Sequence, residues 1–102
     1  MEIKFVDDSI EDFIKSLEPQ TISKVLRTLD LLEEFGHRLG MPHTKKIDGA
    51  ILELRIIGKQ NVRFLYAYHK KAIVVLHCFI KKTQKMPVRE LHTAIAKYNR
   101  LI

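Results

Sequence analysis

The chain has no tryptophan and a single cysteine, Cys78. One thiol excludes an intramolecular disulfide, and the scattered histidines offer no paired spacing for a structural zinc ion. Glycine and proline are scarce, at 4 and 3 of 102 residues, and no segment is of low complexity, which excludes collagen-like and intrinsically disordered chains. Long hydrophobic runs are missing too. The stretches Ile73 to Leu76 and Cys78 to Ile80 are interrupted by His77, far short of the ~20 apolar residues that span a bilayer. No transmembrane helix or membrane partner is expected. The first residues lack the charged-then-apolar pattern of a signal peptide, so the cytoplasm is the expected compartment. Residues 1–102 suit one domain.

What the chain has in excess is positive charge, a formal +6 with a pI near 9.6. The excess is unevenly spread. Residues 1–50 carry 7 Lys and Arg against 10 Asp and Glu, whereas residues 51–102 carry 11 against 2. Charge alone makes the basic second half suit an anionic partner and does not choose between nucleic acid, an acidic protein and a membrane surface.

Periodicity predicts the elements. Glu2 to Val6 alternates as a short strand; Ile10, Phe13, Ile14 and Leu17 form one face of a helix over about 8–17, with Ser9 as its cap. Pro19 opens a second helix whose stripe runs from Ile22 to Phe35 and ends at Gly36 or Gly40, giving a helical hairpin. Residues 40–50 read as a loop. Three strands follow, Ile51 to Ile57, Val62 to His69 and Ala72 to Ile80, and Pro87 starts a final amphipathic helix. The expected architecture is α+β in the order βααβββα: a four-stranded, largely antiparallel sheet, one face under the helical hairpin, the other free to carry Lys and Arg.

The third strand of the meander runs into Lys81-Lys82-Thr83-Gln84-Lys85, three lysines in five residues. Alone, such a run is a solvated strand end. Arg63 changes its weight. With Lys70-Lys71 as a two-residue turn, residue i faces 141 minus i, so Arg63 is expected opposite Cys78, sharing one face with Cys78, Ile80 and Lys82. A guanidinium and an ammonium placed together suit a phosphate. Arg55 joins Arg63 if the connection between them is of three residues with a bulge, and faces away if it is of two or four; the alternative is a surface or ion-paired residue, with Glu53 or the acidic first half as partner. Of the five histidines, His77 reads as half-buried in the sheet, His37 and His92 as exposed on helices, and His69 as bordering a turn. His43, in the loop with Lys45 and Lys46, has a route to a phosphodiester. Cys78 has no His and acid set beside it in sequence for thiol chemistry. Phe64, Tyr66 and Tyr68 alternate as packing residues.

These segments resemble the phage-derived branch of the RelE/HigB toxin family. The resemblance rests on Leu52-Glu53-Leu54-Arg55, Asn61-Val62-Arg63-Phe64-Leu65-Tyr66, Val75 to Pro87, and a helix with Glu90 and Ala94, in the family's order and spacing. It implies a type II toxin, a RelE-like fold, and an endoribonuclease that cuts messenger RNA, usually on the ribosome, with no metal or cofactor. It also implies a helix-turn-helix antitoxin, HigA-like, whose complex with the toxin contacts operator DNA. Carried over, Arg63 is the arginine of the R-x-x-Y block and Lys82 the second catalytic cation, with Arg55 and Lys81 flanking them. Lys45, Lys46, Lys85 and His43 are then the RNA-binding positions. A tyrosine that some relatives carry after the second cation is absent, Pro87 and Val88 standing near its place, so the resemblance transfers no general acid or base. Two other readings suit the same basic face: a ParE-like poison of DNA gyrase, and a non-catalytic nucleic-acid-binding or autoregulatory protein.

Overall fold

A computed structural model describes all 102 residues. Strand β1 (Ile3–Phe5) leads into helices α1 (Asp8–Lys15) and α2 (Pro19–Phe35) and a 3₁₀ turn at Gly36–Arg38. Then come β2 (Thr44–Asp48), β3 (Ile51–Ile56), β4 (Val62–His69), β5 (Ala72–Ile80) and helix α3 (Val88–Leu101). The sheet has five strands in the order β1-β5-β4-β3-β2. Strand β1 runs parallel to β5, and every other pair is antiparallel.

The expected four-stranded sheet therefore gains a strand from the segment read as a loop. Thr44–Asp48 contains two lysines and one aliphatic residue, too little apolar periodicity to announce itself; it is a strand because β3 offers a free edge to pair with. Its exposed lysines also keep that outer edge from pairing further. The first helix differs in detail. Asp7, not Ser9, is the N-cap, accepting the Ser9 N–H at 3.0 Å. Regular helix stops at Lys15, because Ser16 and Leu17 turn their N–H groups to Phe13 and Ile14, three residues back, a tightening typical of a helix end. Gly36, at φ +51°, ends α2 in a conformation that costs a glycine little.

Each sheet face has its own core. Leu54, Ile56, Val62, Phe64, Tyr66, Ile73, Val75 and Cys78 pack under α1 and α2 against Ile10, Val25 and Leu32. Ile51, Leu65, Ala67, Val74, Leu76 and Phe79 face α3, which contributes Ala94 with Leu91, Ile95 and Tyr98. The second face is thus covered by α3, not left open as expected. Phe64 and Tyr66 are core residues, and Tyr68 stacks on His37 with ring centroids 3.7 Å apart.

The jump from Val75 to Cys78 on the first face marks a β-bulge. Tyr66 pairs with Val75 but Leu65 pairs with His77, so Leu76 is an extra residue, and Leu76 and His77 both serve the α3 side. The bulge corrects the expected register: Arg63 lies opposite Phe79, and Cys78 lies opposite Phe64. No helix is long and apolar enough to cross a membrane.

The β4–β5 turn is the expected two-residue one, with Lys70 at φ +49° and Lys71 at φ +63°. Positive φ at both positions is the type I′ geometry that favours Asn-Gly, and two lysines occupy it at a cost of order 1 kcal/mol each. Replacing them together, Lys70→Asn with Lys71→Gly, is expected to stabilise the fold by about 1 kcal/mol, raising a thermal melt by about 4–8 °C. An unchanged or lower midpoint by circular dichroism would show that the turn carries no such strain.

Candidate functional site

Strand β3 places its side chains by simple alternation. Leu52, Leu54 and Ile56 enter or border the core under the helical hairpin, so Glu53 and Arg55 point to the other face. Arg55 pairs directly with Arg63 of β4, across a five-residue connection at 57–61. Directly paired residues share a face, so the two arginines lie side by side. Like charges opposite each other in a sheet repel. A counter-charge is close at hand: the Glu53 carboxylate lies 3.5 Å from Arg63 Nε and 3.8 Å from Arg55 Nε, and Glu53 is only 2% exposed.

These contacts are ionic more than hydrogen-bonded. Glu53 Oε2 and both Nε atoms are buried without a hydrogen-bond partner, while Arg63 Nη1 donates to its neighbour's carbonyl, Val62 O, at 3.1 Å. Burial pulls the Arg63 pKa below its ordinary value; Glu53 opposes that shift and Arg55 adds to it. Guanidinium groups stay protonated nonetheless. One buried anion thus faces two cations, leaving a net positive charge at this end of the sheet.

The end of β5 completes the site. The Lys81 N–H donates to Asn61 O at 2.7 Å, which ties the start of β4 to the residue after β5. Around this junction lies an open cleft of about 370 Å³ lined by Arg55, Asn61, Arg63, Lys81, Lys82, Thr83 and Gln84. No apolar residue lines it. Four cations and three neutral hydrogen-bonding side chains suit a phosphodiester, to which guanidinium groups bind with paired donors and ammonium groups as point charges.

The four residues expected to carry catalysis, Arg63, Lys82, Lys81 and Arg55, therefore line one cleft. Those expected to bind RNA do not. Lys45 pairs with Glu53 and so shares the arginines' face, but Lys46 pairs with Leu52 and faces the other way, and neither lines the cleft. Lys85 is exposed in the segment before α3, also outside the lining. His43 borders a different cleft, although its carbonyl accepts the Arg55 N–H at 2.8 Å. Cys78 and Ile80, expected on the Arg63 face, belong to the opposite core; burial pushes the Cys78 thiol up to about 12. His77 pairs with Glu90 of α3 at 2.7 Å. No three His, Cys, Asp or Glu side chains converge as a metal site.

Glu53 is the residue that sequence reasoning undervalued, treating it only as a potential partner for Arg55. Its signal was present: an acid between Leu52 and Leu54 in an otherwise apolar strand, two residues before an arginine. A buried carboxylate needs a cation, and two were within reach.

A model of the phage-derived Gp49-like proteins (DUF891) matches residues 12–99. The chain belongs to this family. The matched region of this Gp49-like chain includes Glu53 and every residue of the cleft. No curated protein matches the chain.

Removing the Glu53 charge while keeping its shape, by Glu53→Gln, leaves two adjacent guanidinium groups without a counter-ion. Because Arg55 is partly solvated, the expected loss is about 2–3 kcal/mol, below the full cost of breaking a buried pair. The double variant Glu53→Gln with Arg55→Gln should recover part of it. Urea unfolding of these two variants and of Arg55→Gln alone closes the cycle. Additive losses would show that Glu53 and Arg55 are not coupled.

Proposed function

We propose that this protein is a RelE/HigB-type toxin, an endoribonuclease that cuts messenger RNA at the cationic end of its sheet. The observation that carries the reading is the convergence of Arg55, Arg63, Lys81 and Lys82 on one cleft free of apolar residues. Membership of the Gp49-like family and the resemblance of the three sequence blocks to the HigB branch support it.

The chemistry follows from that inventory. RNA supplies its own nucleophile: the 2′ oxygen attacks the adjacent phosphorus, the bond to the 5′ oxygen breaks, and a cyclic phosphate and a 5′ hydroxyl result. The transition state carries more negative charge on the phosphoryl oxygens than the ground state does. Arg63 and Lys82 meet that charge, while Arg55 and Lys81 hold the flanking backbone. Arg63 is the best preorganised of the four, being buried, held by Glu53 and anchored on Val62 O. Lining the cleft there is no His, Asp or Glu, so the side chains of Lys81 and Lys82 are the groups able to move protons, one as a neutral amine taking the 2′ proton and the other as an ammonium giving one to the 5′ oxygen. A helix-turn-helix antitoxin neutralises the toxin, and the ribosome presents the transcript.

Inducible expression with mapping of transcript 5′ ends, with and without translation, tests this reading. Growth arrest with new ends that vanish when translation is blocked is the expected result; chromosomal breaks with intact transcripts would instead indicate a gyrase poison. Arg63→Ala and Lys82→Ala are each expected to lower cleavage by about 10²–10³-fold, by analogy with loss of one oxyanion donor, while antitoxin binding persists. Full arrest by both variants would exclude this site.

A further inference from the structure

Arg55 lines a second cleft as well. This one, of about 320 Å³, opens between α2 and the end of β3, and its walls differ in kind from those of the first. Two cations stand on it, Lys24 and Arg27 of α2, together with His43 and an apolar surface that includes Pro42 and Ile57. Ile57 is 59% exposed, so it offers apolar surface at the cleft. Lys24 Nζ donates to Ile57 O at 3.2 Å, which holds its charge against the cleft wall. Arg27 is exposed and forms no ion pair.

The first cleft is all polar and suits a phosphate alone. The second offers charge beside apolar surface, which is what a whole nucleotide requires: cations for its phosphate and a platform for its base. Arg55 lines both, which places the two clefts on either side of a single residue. We propose that the second cleft is a subsite for a further nucleotide of the same single-stranded RNA, with its phosphate at Arg27 and Lys24 and its base on Pro42, Ile57 and His43. This rests on the ribonuclease reading. It requires an unpaired strand, since a base within a duplex presents no face to such a surface.

The test uses oligoribonucleotides of two to six residues with 2′-O-methyl groups, which bind without being cut, followed by fluorescence anisotropy between 50 and 200 mM salt. For the wild-type protein, affinity is expected to step up once the oligomer is long enough to reach past Arg55. Arg27→Ala should remove that step and reduce the slope of log affinity against log salt by about 0.7, the share of one phosphate contact on a single strand. Ile57→Ser should remove the step and leave the slope unchanged, separating base packing from charge. Equal length profiles in the wild type and both variants would overturn the subsite and leave the first cleft standing, as would an equal gain from a duplex. Absence of RNA binding by the wild-type protein at every length would overturn the subsite, while the ribonuclease reading stands or falls on the transcript ends.

Discussion

The arrangement depends on one buried carboxylate. Strands β3 and β4 pair so that Arg55 and Arg63 are direct neighbours, a contact that is repulsive on its own. Glu53 sits two residues before Arg55 on the same strand, and the pleat brings its side chain back to the same face. A single strand thus carries one of the cations and the anion that restrains both. The anion meets each guanidinium at Nε, so it does not take up the Nη groups, only one of which, on Arg63, bonds to Val62 O. Donors remain for a ligand. A fully satisfied ion-pair network would have been more stable and less able to bind phosphate.

The same end of the sheet is shaped by what does not cover it. Helix α3 packs across Leu65, Leu76 and Phe79, and none of its residues lines the cleft beside Arg63. The bulge at Leu76 and His77 contributes to both halves of this division. Two successive side chains face α3, Leu76 in its core and His77 paired with Glu90, and the register beyond them shifts by one. That shift puts Phe79 rather than Cys78 opposite Arg63, and by the alternation of the strand leaves Lys81 next on the arginine side. Without the bulge, Cys78 and Ile80 would have taken those places.

The sequence made much of this legible and hid the rest for identifiable reasons. The four later elements were plain from apolar periodicity, and the cleft's cations stood out because each ends or interrupts an apolar strand. Strand β2 was hidden because its pairing comes from the β3 edge, not from a pattern in Thr44–Asp48. The register was hidden because a bulge leaves no compositional mark. Lys45, Lys46 and Lys85 illustrate the opposite error: charge density along the chain is not charge density in space, and adjacent lysines on a strand point to opposite faces. Glu53 was visible, but as a partner for one arginine; its burial between two is a property of the pairing of β3 with β4.

The division into an acidic first half and a basic second half proves too coarse in the same way. Helix α2 lies in the half with excess Asp and Glu, yet its Lys24 and Arg27 reach the cleft shared with Arg55. The acids Asp30 and Glu33 of the same helix line a separate groove beside Ile3 and Phe5 of β1. What matters to a polyanion is the end of the sheet at which a side chain emerges. There, the end of β3, the start of β4, the residues after β5 and the first half of α2 bring cations together, and Glu53, the acid beside the two arginines, is buried and occupied by them. An approaching phosphate chain meets the positive groups and not the carboxylate that positions them.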